Sequence, residues 1–263
     1  MDTKKLLTDY YSNYDEDGRL LSRHGSVEFF TTMRYIEKYL CSGMRILEIG
    51  TATGRYAHSL ARMGYEVDAV ELVQHNIQIF QQNTQPEEKI TIRQGDARDL
   101  WFVPDGTYDL TLLLGPMYHL FTAQDQLSAL SEALRVTKKG GILMVAYCGN
   151  EATMVQYCFG RGMLLEEKYQ KLVDPVTFKA SSDPAELFEL YRREDIDALM
   201  SGFDTARLHY VGTDMATNYM REVIDTMDEA LFAMYLRYHF TICERPDCVG
   251  VSHHILDIHK KVE

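Results

Sequence analysis

The chain has 263 residues, of which 46% are hydrophobic and 25% are charged. It is long enough for one substantial α/β domain with a lid or cap, and this composition argues against a disordered protein. Acidic residues outnumber basic ones by 39 to 27, giving a formal net charge of −12, which argues against a nucleic-acid partner. No apolar run reaches bilayer length and no signal peptide is visible, so we expect a cytoplasmic protein without a membrane partner.

The five cysteines are odd in number and scattered, which is typical of reduced thiols rather than of a disulfide framework. Cys243 and Cys248 lie close in sequence to His253 and His254, a combination that could in principle bind a metal. The spacing matches no known zinc pattern, however, and we predict no metal site.

Residues 1–23 form a tyrosine-rich, charged arm. Such an arm could fold over a ligand as a lid or simply pack on the surface, and Tyr14 is the side chain expected to contact the ligand. From His24 to Leu40, apolar residues recur every three or four positions, which predicts a helix with one buried face.

The stretch Arg45–Gly54 predicts a buried strand that turns directly into a helix. Gly50 and Gly54 allow close approach of the backbone to a ligand, and the helix that follows offers unpaired N–H groups to an anion. Glu48 is a carboxylate near the end of that buried strand, where a cationic ligand would be a suitable partner. A glycine-rich turn alone is weak evidence, since many sheets turn this way without a ligand.

Two further strands end in acidic residues. Glu71 closes the strand Glu66–Glu71, about twenty residues beyond the glycine turn, where open α/β sheets bind ribose hydroxyls. Asp96 follows the strand Lys89–Gln94 and could accept a hydrogen bond from an exocyclic amine such as that of adenine. Taken alone, Glu71 would be better explained as a solvated loop carboxylate, but the glycine turn before it favours the ribose site.

The remaining pattern alternates helices and strands, which predicts an α/β fold with a doubly wound, Rossmann-like, mostly parallel sheet of seven strands and helices on both faces. We expect a helical cap inserted after the fifth strand, with helices near Val155–Met163 and Pro184–Met200, and a last antiparallel strand at Gly250–His259. The expected organisation is one domain over 1–263, with an arm (1–23), a cofactor-binding core (24–148), a cap (149–202) and closing strands and helices (203–263).

As a set, the Glu48–Gly54 segment, Glu71 and Gly95-Asp96 resemble the motifs of class I S-adenosylmethionine-dependent methyltransferases. The resemblance covers about residues 25–148. It implies S-adenosyl-L-methionine as cofactor, with the methionine part held by Glu48 and the Gly50–Gly54 loop, the ribose by Glu71, and the adenine by Asp96 and Ala97. Together with Tyr14 of the arm, the expected cofactor-binding residues are Glu48, Gly50, Thr51, Ala52, Gly54, Glu71, Leu72, Asp96, Ala97 and Gly115.

The segment Gly115–Leu120 is similar to a Gly-Pro-Leu-Tyr-His-Leu variant of small-molecule methyltransferases. We therefore expect a small-molecule acceptor. His119, just past the fourth strand, is the candidate general base or substrate ligand, although it could equally pack locally in a first helical turn. Ala52 stands where the family usually has a glycine, which should narrow the loop without closing it.

Two other functions stay open at this stage. A nicotinamide-dependent oxidoreductase would need glycines where the chain has Ala52 and Arg55, so the dinucleotide fingerprint fails twice. The other is a module that binds S-adenosylmethionine without turnover, because fold and site do not establish chemistry. The acceptor, the methylated atom and the oligomeric state are not specified by the sequence.

Overall fold

A computed structural model describes residues 3–14, 18 and 20–263. Parts of the predicted arm, at residues 1–2, 15–17 and 19, lie outside the described residues. The α-helices are α1 Thr3–Tyr11, α2 Arg23–Glu37, α3 Arg55–Arg62, α4 Gln74–Asn83, α5 Ala123–Val136, α6 Asn150–Thr153, α7 Glu167–Gln170, α8 Arg193–Met200, α9 Arg221–Thr226 and α10 Glu229–Ile242. The strands are β1 Arg45–Ile49, β2 Glu66–Glu71, β3 Ile90–Gln94, β4 Tyr108–Leu113, β5 Thr137–Gly149, β6 Leu190–Tyr191, β7 Thr205–Gly212 and β8 His254–Lys261.

The strands form one sheet in the order β3-β2-β1-β4-β5-β8-β7, with β6 paired to the end of β5. All pairs are parallel except those of β8, which runs antiparallel to both β5 and β7. This confirms the doubly wound, Rossmann-like sheet and its antiparallel last strand. The two-residue strand β6 makes an eighth strand that the sequence did not predict.

Helices cover both faces of the sheet because the central strands are apolar on both sides. In β1, Ile46 and Leu47 are fully buried neighbours that point to opposite faces. Ile46 belongs to a cluster with residues of α2 and α3, and Leu47 to one with residues of α5 and α8. A strand that is buried on both sides fixes the position of the turn that follows it.

The cap region departs from the prediction. Instead of one helix over Pro184–Met200, the chain forms a 3-10 turn at Pro184–Glu186, then β6, then α8. Leu187 has a φ of 71°, a left-handed conformation that ends the turn and prevents the helix from continuing. The predicted helix near Val155–Met163 is a six-residue π-helix, Met154–Phe159, followed by a 3-10 turn at Met163–Leu165.

Two other segments also differ from the sequence pattern. The pattern favours one long helical region from about 218 to 243, but the structure has two helices, because Met227 is extended and Asp228 caps α10 by accepting a hydrogen bond from the Leu231 amide at 2.8 Å. Strand β8 begins at His254 rather than at Gly250, after a 3-10 turn at Val249–Val251.

Candidate functional site

A cavity of about 250 Å³ lies where the carboxyl ends of β1, β2 and β4 meet. In open α/β sheets, ligands bind at this edge, where the strand order reverses. The cavity is lined by the turn after β1, by residues just beyond β2 and β4, and by the arm helix α1. We call it the first cavity.

The turn after β1 requires glycine at two positions. Gly50 has a φ of 74°, and an added Cβ would lie 2.5 Å from Cδ of Pro116. Gly54 has a φ of 90°, and its Cβ would lie 2.4 Å from the Phe80 ring. Between them, Ala52 has a φ of 50°, so this non-glycine residue adopts the left-handed conformation at the position where the family usually has glycine.

Glu48 lies in the wall of the first cavity with 2% of its surface exposed. Its Oε2 accepts a hydrogen bond from the Thr51 hydroxyl at 2.8 Å. Burial raises the pKa of Glu48 from its usual 4.5 to about 8. Among the described residues no cationic side chain forms an ion pair with Glu48, so a positively charged ligand group would suit this site.

Glu71 holds the turn together from the tip of β2. It is 6% exposed, and its two carboxylate oxygens accept hydrogen bonds from the backbone N–H of Ala52 at 2.9 Å and of Val73 at 2.8 Å. Burial raises its pKa, whereas these backbone hydrogen bonds lower it. Since each carboxylate oxygen has two lone pairs, Glu71 retains acceptor capacity on the cavity side.

Asp96 lines the same cavity beyond β3, next to Ala97. Arg98 donates to both of its oxygens, at 2.9 Å from Nε and 2.7 Å from Nη2, and also to Asp125 at 2.9 Å. Burial raises the pKa of Asp96, but the Arg98 hydrogen bonds and charge outweigh it and hold this pKa below its usual range. Asp96 is therefore a fixed, ionised acceptor.

His119 connects the arm to the cap. Its Nδ1 lies 2.8 Å from the carbonyl oxygen of Leu187, which can only accept, so Nδ1 carries the proton. The Nε2 atom then accepts from the Tyr11 hydroxyl, also at 2.8 Å. Burial lowers the pKa of His119 to about 4, so the ring is neutral near pH 7 and both of its nitrogens are hydrogen-bonded.

A second cavity, of about 500 Å³, adjoins the first, and Tyr11 and Tyr118 line both. Tyr118 stacks on Phe188 with ring centroids 5.8 Å apart. The second cavity is rich in aromatic side chains, and those in its wall are Tyr10, Tyr11, Tyr14, Tyr118, Tyr157, Tyr169 and Phe188. A molecule bound in the second cavity would lie directly beside a ligand bound in the first cavity.

Comparisons with known proteins agree with this fold. A methyltransferase-domain family model matches residues 47–145. The crystal structure of an S-adenosylmethionine-dependent methyltransferase from Methanosarcina mazei superposes with a TM-score of 0.57 at 16% identity, covering 87% of this chain and 97% of that one. Residues 47–145 therefore match a methyltransferase domain, and the fold is that of the S-adenosylmethionine-dependent methyltransferases.

Two curated relatives match this chain over part of their length. One is the S-adenosyl-L-methionine-dependent Diels-Alderase iccD of Talaromyces variabilis, 31% identical over 106 residues, or 39% of this chain and 35% of that protein. The other is YqeM of Bacillus subtilis, whose name describes it as a methyltransferase. It is 29% identical over 136 residues, which make up 51% of this chain and 52% of that protein. The chain thus spans about a third of one relative and about half of the other.

Most of the predicted site residues meet in the first cavity of the methyltransferase domain. The two that do not line it are Gly54, which immediately precedes α3 and packs on Phe80, and Tyr14, which lines the second cavity. The members that do line it are Glu48, Gly50, Thr51, Ala52, Glu71, Leu72, Asp96, Ala97, Gly115 and His119.

The sequence reasoning missed the arm residues that face the first cavity. Lys4, Leu7 and Tyr11 line it, at the i, i+3, i+7 spacing of one helix face. Tyr14 lies beyond the end of α1 and lines the second cavity. Helical periodicity in the arm would have pointed to Tyr11 as well as to Tyr14.

The alternative metal site of Cys243, Cys248, His253 and His254 is not assembled. Cys243 is buried, with its Sγ 3.5 Å from the Tyr35 hydroxyl. Within the described residues, the group whose ligand atoms lie close enough to hold a metal is Glu28, Asp214 and His254. His254 Nδ1 lies 2.8 Å from Asp214 and 3.3 Å from Glu28, an arrangement that suits a shared proton.

Across the described ranges, no helix has the length and apolar character needed to cross a membrane.

Proposed function

We propose that the chain is an S-adenosylmethionine-dependent methyltransferase that transfers a methyl group to a small molecule bound in the second cavity. The observation that carries this proposal is the pair of adjoining cavities, which share Tyr11 and Tyr118 in their walls. One cavity has the carboxyl groups of a class I cofactor site, and the other has room for an acceptor of a few ring systems. A cytoplasmic location without nucleic-acid or membrane partners remains a prediction from the composition.

The residues of the first cavity fit the proposed cofactor. The buried Glu48 has no cationic partner among the described side chains and would bind the ammonium group of the methionine part. Glu71 would accept hydrogen bonds from the ribose hydroxyls, and Asp96 with the Ala97 backbone would hold the adenine. The rest of the surface around the cofactor would come from Thr51, Leu72 and Gly115.

When bound, the cofactor would supply a sulfonium methyl group to an acceptor nucleophile by direct displacement. The chain's contribution is then mostly alignment and exclusion of water. Tyr11 and Tyr118 are the side chains placed between the two cavities, and aromatic faces there would stabilise a neighbouring cation.

His119 remains a candidate catalytic residue in this proposal, and its geometry favours a positioning role. Its Nε2 is occupied by the Tyr11 hydroxyl, and its pKa near 4 makes it a weak base at neutral pH. We infer that His119 orients Tyr11 toward the junction of the cavities. His119→Ala retaining full turnover on an identified acceptor would exclude both roles.

The proposal is tested by calorimetric titration with S-adenosylmethionine, S-adenosylhomocysteine and NADH. We expect saturable binding of the first two and none of NADH. Glu71→Ala should weaken binding at least about tenfold through the lost charge-assisted hydrogen bonds. Glu66→Ala, at the other end of β2 and on the surface, is the matched control that should leave binding unchanged.

Tight NADH binding would instead support the oxidoreductase alternative, and binding of none of the three would contradict a cofactor site. A second candidate function has one specific observation in its favour, the relative that is named as an S-adenosylmethionine-dependent Diels-Alderase. A protein of that kind would hold the cofactor without consuming it. Formation of S-adenosylhomocysteine in the presence of an acceptor distinguishes the two functions, because only methyl transfer produces it.

A further inference from the structure

One wall of the second cavity is built from Arg221, His253 and Tyr157. The His253 and Tyr157 rings meet edge to face with centroids 5.6 Å apart, and Nη2 of Arg221 lies 3.4 Å from the Tyr157 hydroxyl. We call these three residues the Arg221 wall. It lies outside the first cavity, and no residue of it contributes to the proposed cofactor site.

His253 presents a buried polar atom that the chain does not satisfy. The residue is 8% exposed, and its Nε2 has no hydrogen-bond partner among the described residues. Its position is fixed, because its backbone N–H donates to Asp214 at 2.9 Å and its ring packs against Tyr157 and Tyr219. A buried ring nitrogen without a partner is costly, and His253 belongs to the cavity wall, so a ligand group that reaches Nε2 would supply the missing hydrogen bond.

Arg221 carries a charge that no carboxylate of the described chain neutralises. Its hydrogen bonds are the 3.4 Å contact to Tyr157 and a second contact of 3.4 Å, to the carbonyl oxygen of Asn218. The other cationic candidates in this cavity are paired: His24 with Asp225 at 2.7 Å, and His254 with Asp214. In a chain with a net charge of −12, an unpaired guanidinium in a cavity needs an explanation.

Asp214, an acidic residue in the wall of the same cavity, does not provide the missing partner. The two oxygens of Asp214 already accept five hydrogen bonds, from the Ser252 hydroxyl, the backbone N–H groups of His253 and His254, the Asn218 amide and the His254 ring. Burial lowers the pKa of His254, but the charges of Glu28 and Asp214 outweigh it and raise this pKa well above its usual value. The charge of Asp214 is thereby balanced within its own network.

We propose that the acceptor carries an oxyanion, a carboxylate or a phosphate ester, which Arg221 and His253 bind together. The planar guanidinium suits two oxygens of either group, and Nε2 of a neutral His253 can donate to one of them. The acceptor would then extend from this anionic end toward Tyr118 at the junction of the cavities. The inference rests on the proposed function, since it assigns the second cavity to the acceptor.

The test uses inorganic phosphate and acetate as separate probes, each added at constant ionic strength to protein with ¹⁵N-labelled histidine. The ring signal of His253, assigned by its loss in His253→Gln, should shift saturably with at least one probe. Arg221→Gln should raise the dissociation constant of that probe at least about tenfold. Arg161→Gln is the matched control, because Arg161 also contacts the Tyr157 ring but does not line the cavity, and it should leave the constant unchanged.

A stronger response to phosphate would indicate that the anionic group of the acceptor is a phosphate ester. A stronger response to acetate would indicate that it is a carboxylate. The inference is overturned if neither anion gives a saturable shift, or if Arg221→Gln and Arg161→Gln have the same effect. S-adenosylhomocysteine is titrated into the same samples. Retained cofactor binding without anion binding overturns this inference alone, whereas absent cofactor binding in the unaltered protein overturns the proposed function.

Discussion

The buried carboxyl group of Glu48 gives the first cavity a pH response. In the ligand-free protein its pKa is about 8, so at pH 7 the group mostly holds its proton. A bound ammonium group favours the carboxylate and lowers this pKa, so cofactor binding should release up to about one proton at pH 7. Affinity should accordingly rise with pH between pH 6 and pH 7.5, by up to about tenfold per pH unit.

Calorimetry in two buffers of different ionisation enthalpy measures this release directly. The unaltered protein should give different binding enthalpies in the two buffers, and Glu48→Gln should bind more weakly with no buffer dependence. A buffer-independent enthalpy in the unaltered protein would contradict the placement of a cation beside Glu48. In the absence of ligand, the raised folded-state pKa means that Glu48 lowers the free energy of unfolding as pH rises from about 4.5 to about 8.

Ala52 offers a test at a single backbone position. A φ of 50° destabilises a residue that has a Cβ by about 1–2 kcal/mol, and glycine avoids this strain. Glycine also has more conformational freedom in the unfolded chain, which offsets part of the gain. Ala52→Gly should therefore raise the free energy of unfolding by about 0.5–1 kcal/mol in urea denaturation. Ala57→Gly in the middle of α3 is the control, since Ala57 is buried and helical, and it should destabilise. Equal destabilisation by both substitutions would argue against strain at Ala52.

At the scale of elements, the hydrogen bond between Tyr11 and His119 links α1 to the rest of the site. The Tyr11 hydroxyl donates to His119, which in turn donates to Leu187 of the cap. Tyr11→Phe removes the link with little change in volume, and we expect S-adenosylhomocysteine to dissociate about three- to tenfold faster in stopped-flow measurements. Amide hydrogen exchange over residues 3–14 should accelerate in parallel.

The control for this link is Tyr14→Phe, because Tyr14 does not line the first cavity. Its dissociation rate should match that of the unaltered protein. If Tyr14→Phe accelerates dissociation and Tyr11→Phe does not, the sequence-based prediction of Tyr14 as the ligand contact is supported and the proposed role of Tyr11 is wrong.

The same scale shows where sequence reasoning succeeded. The strands β1 and β4 are short, largely apolar runs that lead into glycine, and β2 ends in an acid. This local pattern was sufficient to place Glu48, Glu71 and Gly115 at one edge of the sheet. The cap was predicted poorly because its course depends on contacts distant in sequence. The left-handed Leu187 and the pairing of β6 with the end of β5 leave no periodic signal.

For the whole molecule, the fold followed from the alternation of strands and helices, whereas the second cavity did not. Its walls come from the arm, the cap and the segment before β8, for example Tyr10, Tyr157 and His253. Tyr10 and His253, for example, lie near opposite ends of the sequence. No spacing rule brings these residues together, so the sequence did not predict that they form one cavity.

The central claim is that S-adenosylmethionine or its product occupies the first cavity, and a crystal structure with S-adenosylhomocysteine tests it most directly. We expect the ligand to lie with its amino group beside Glu48, its ribose hydroxyls on Glu71 and its adenine next to Asp96 and Ala97. The sulfur should face the junction formed by Tyr11 and Tyr118. Ligand density elsewhere, or density in the first cavity without contact to Glu48 and Glu71, would contradict the claim.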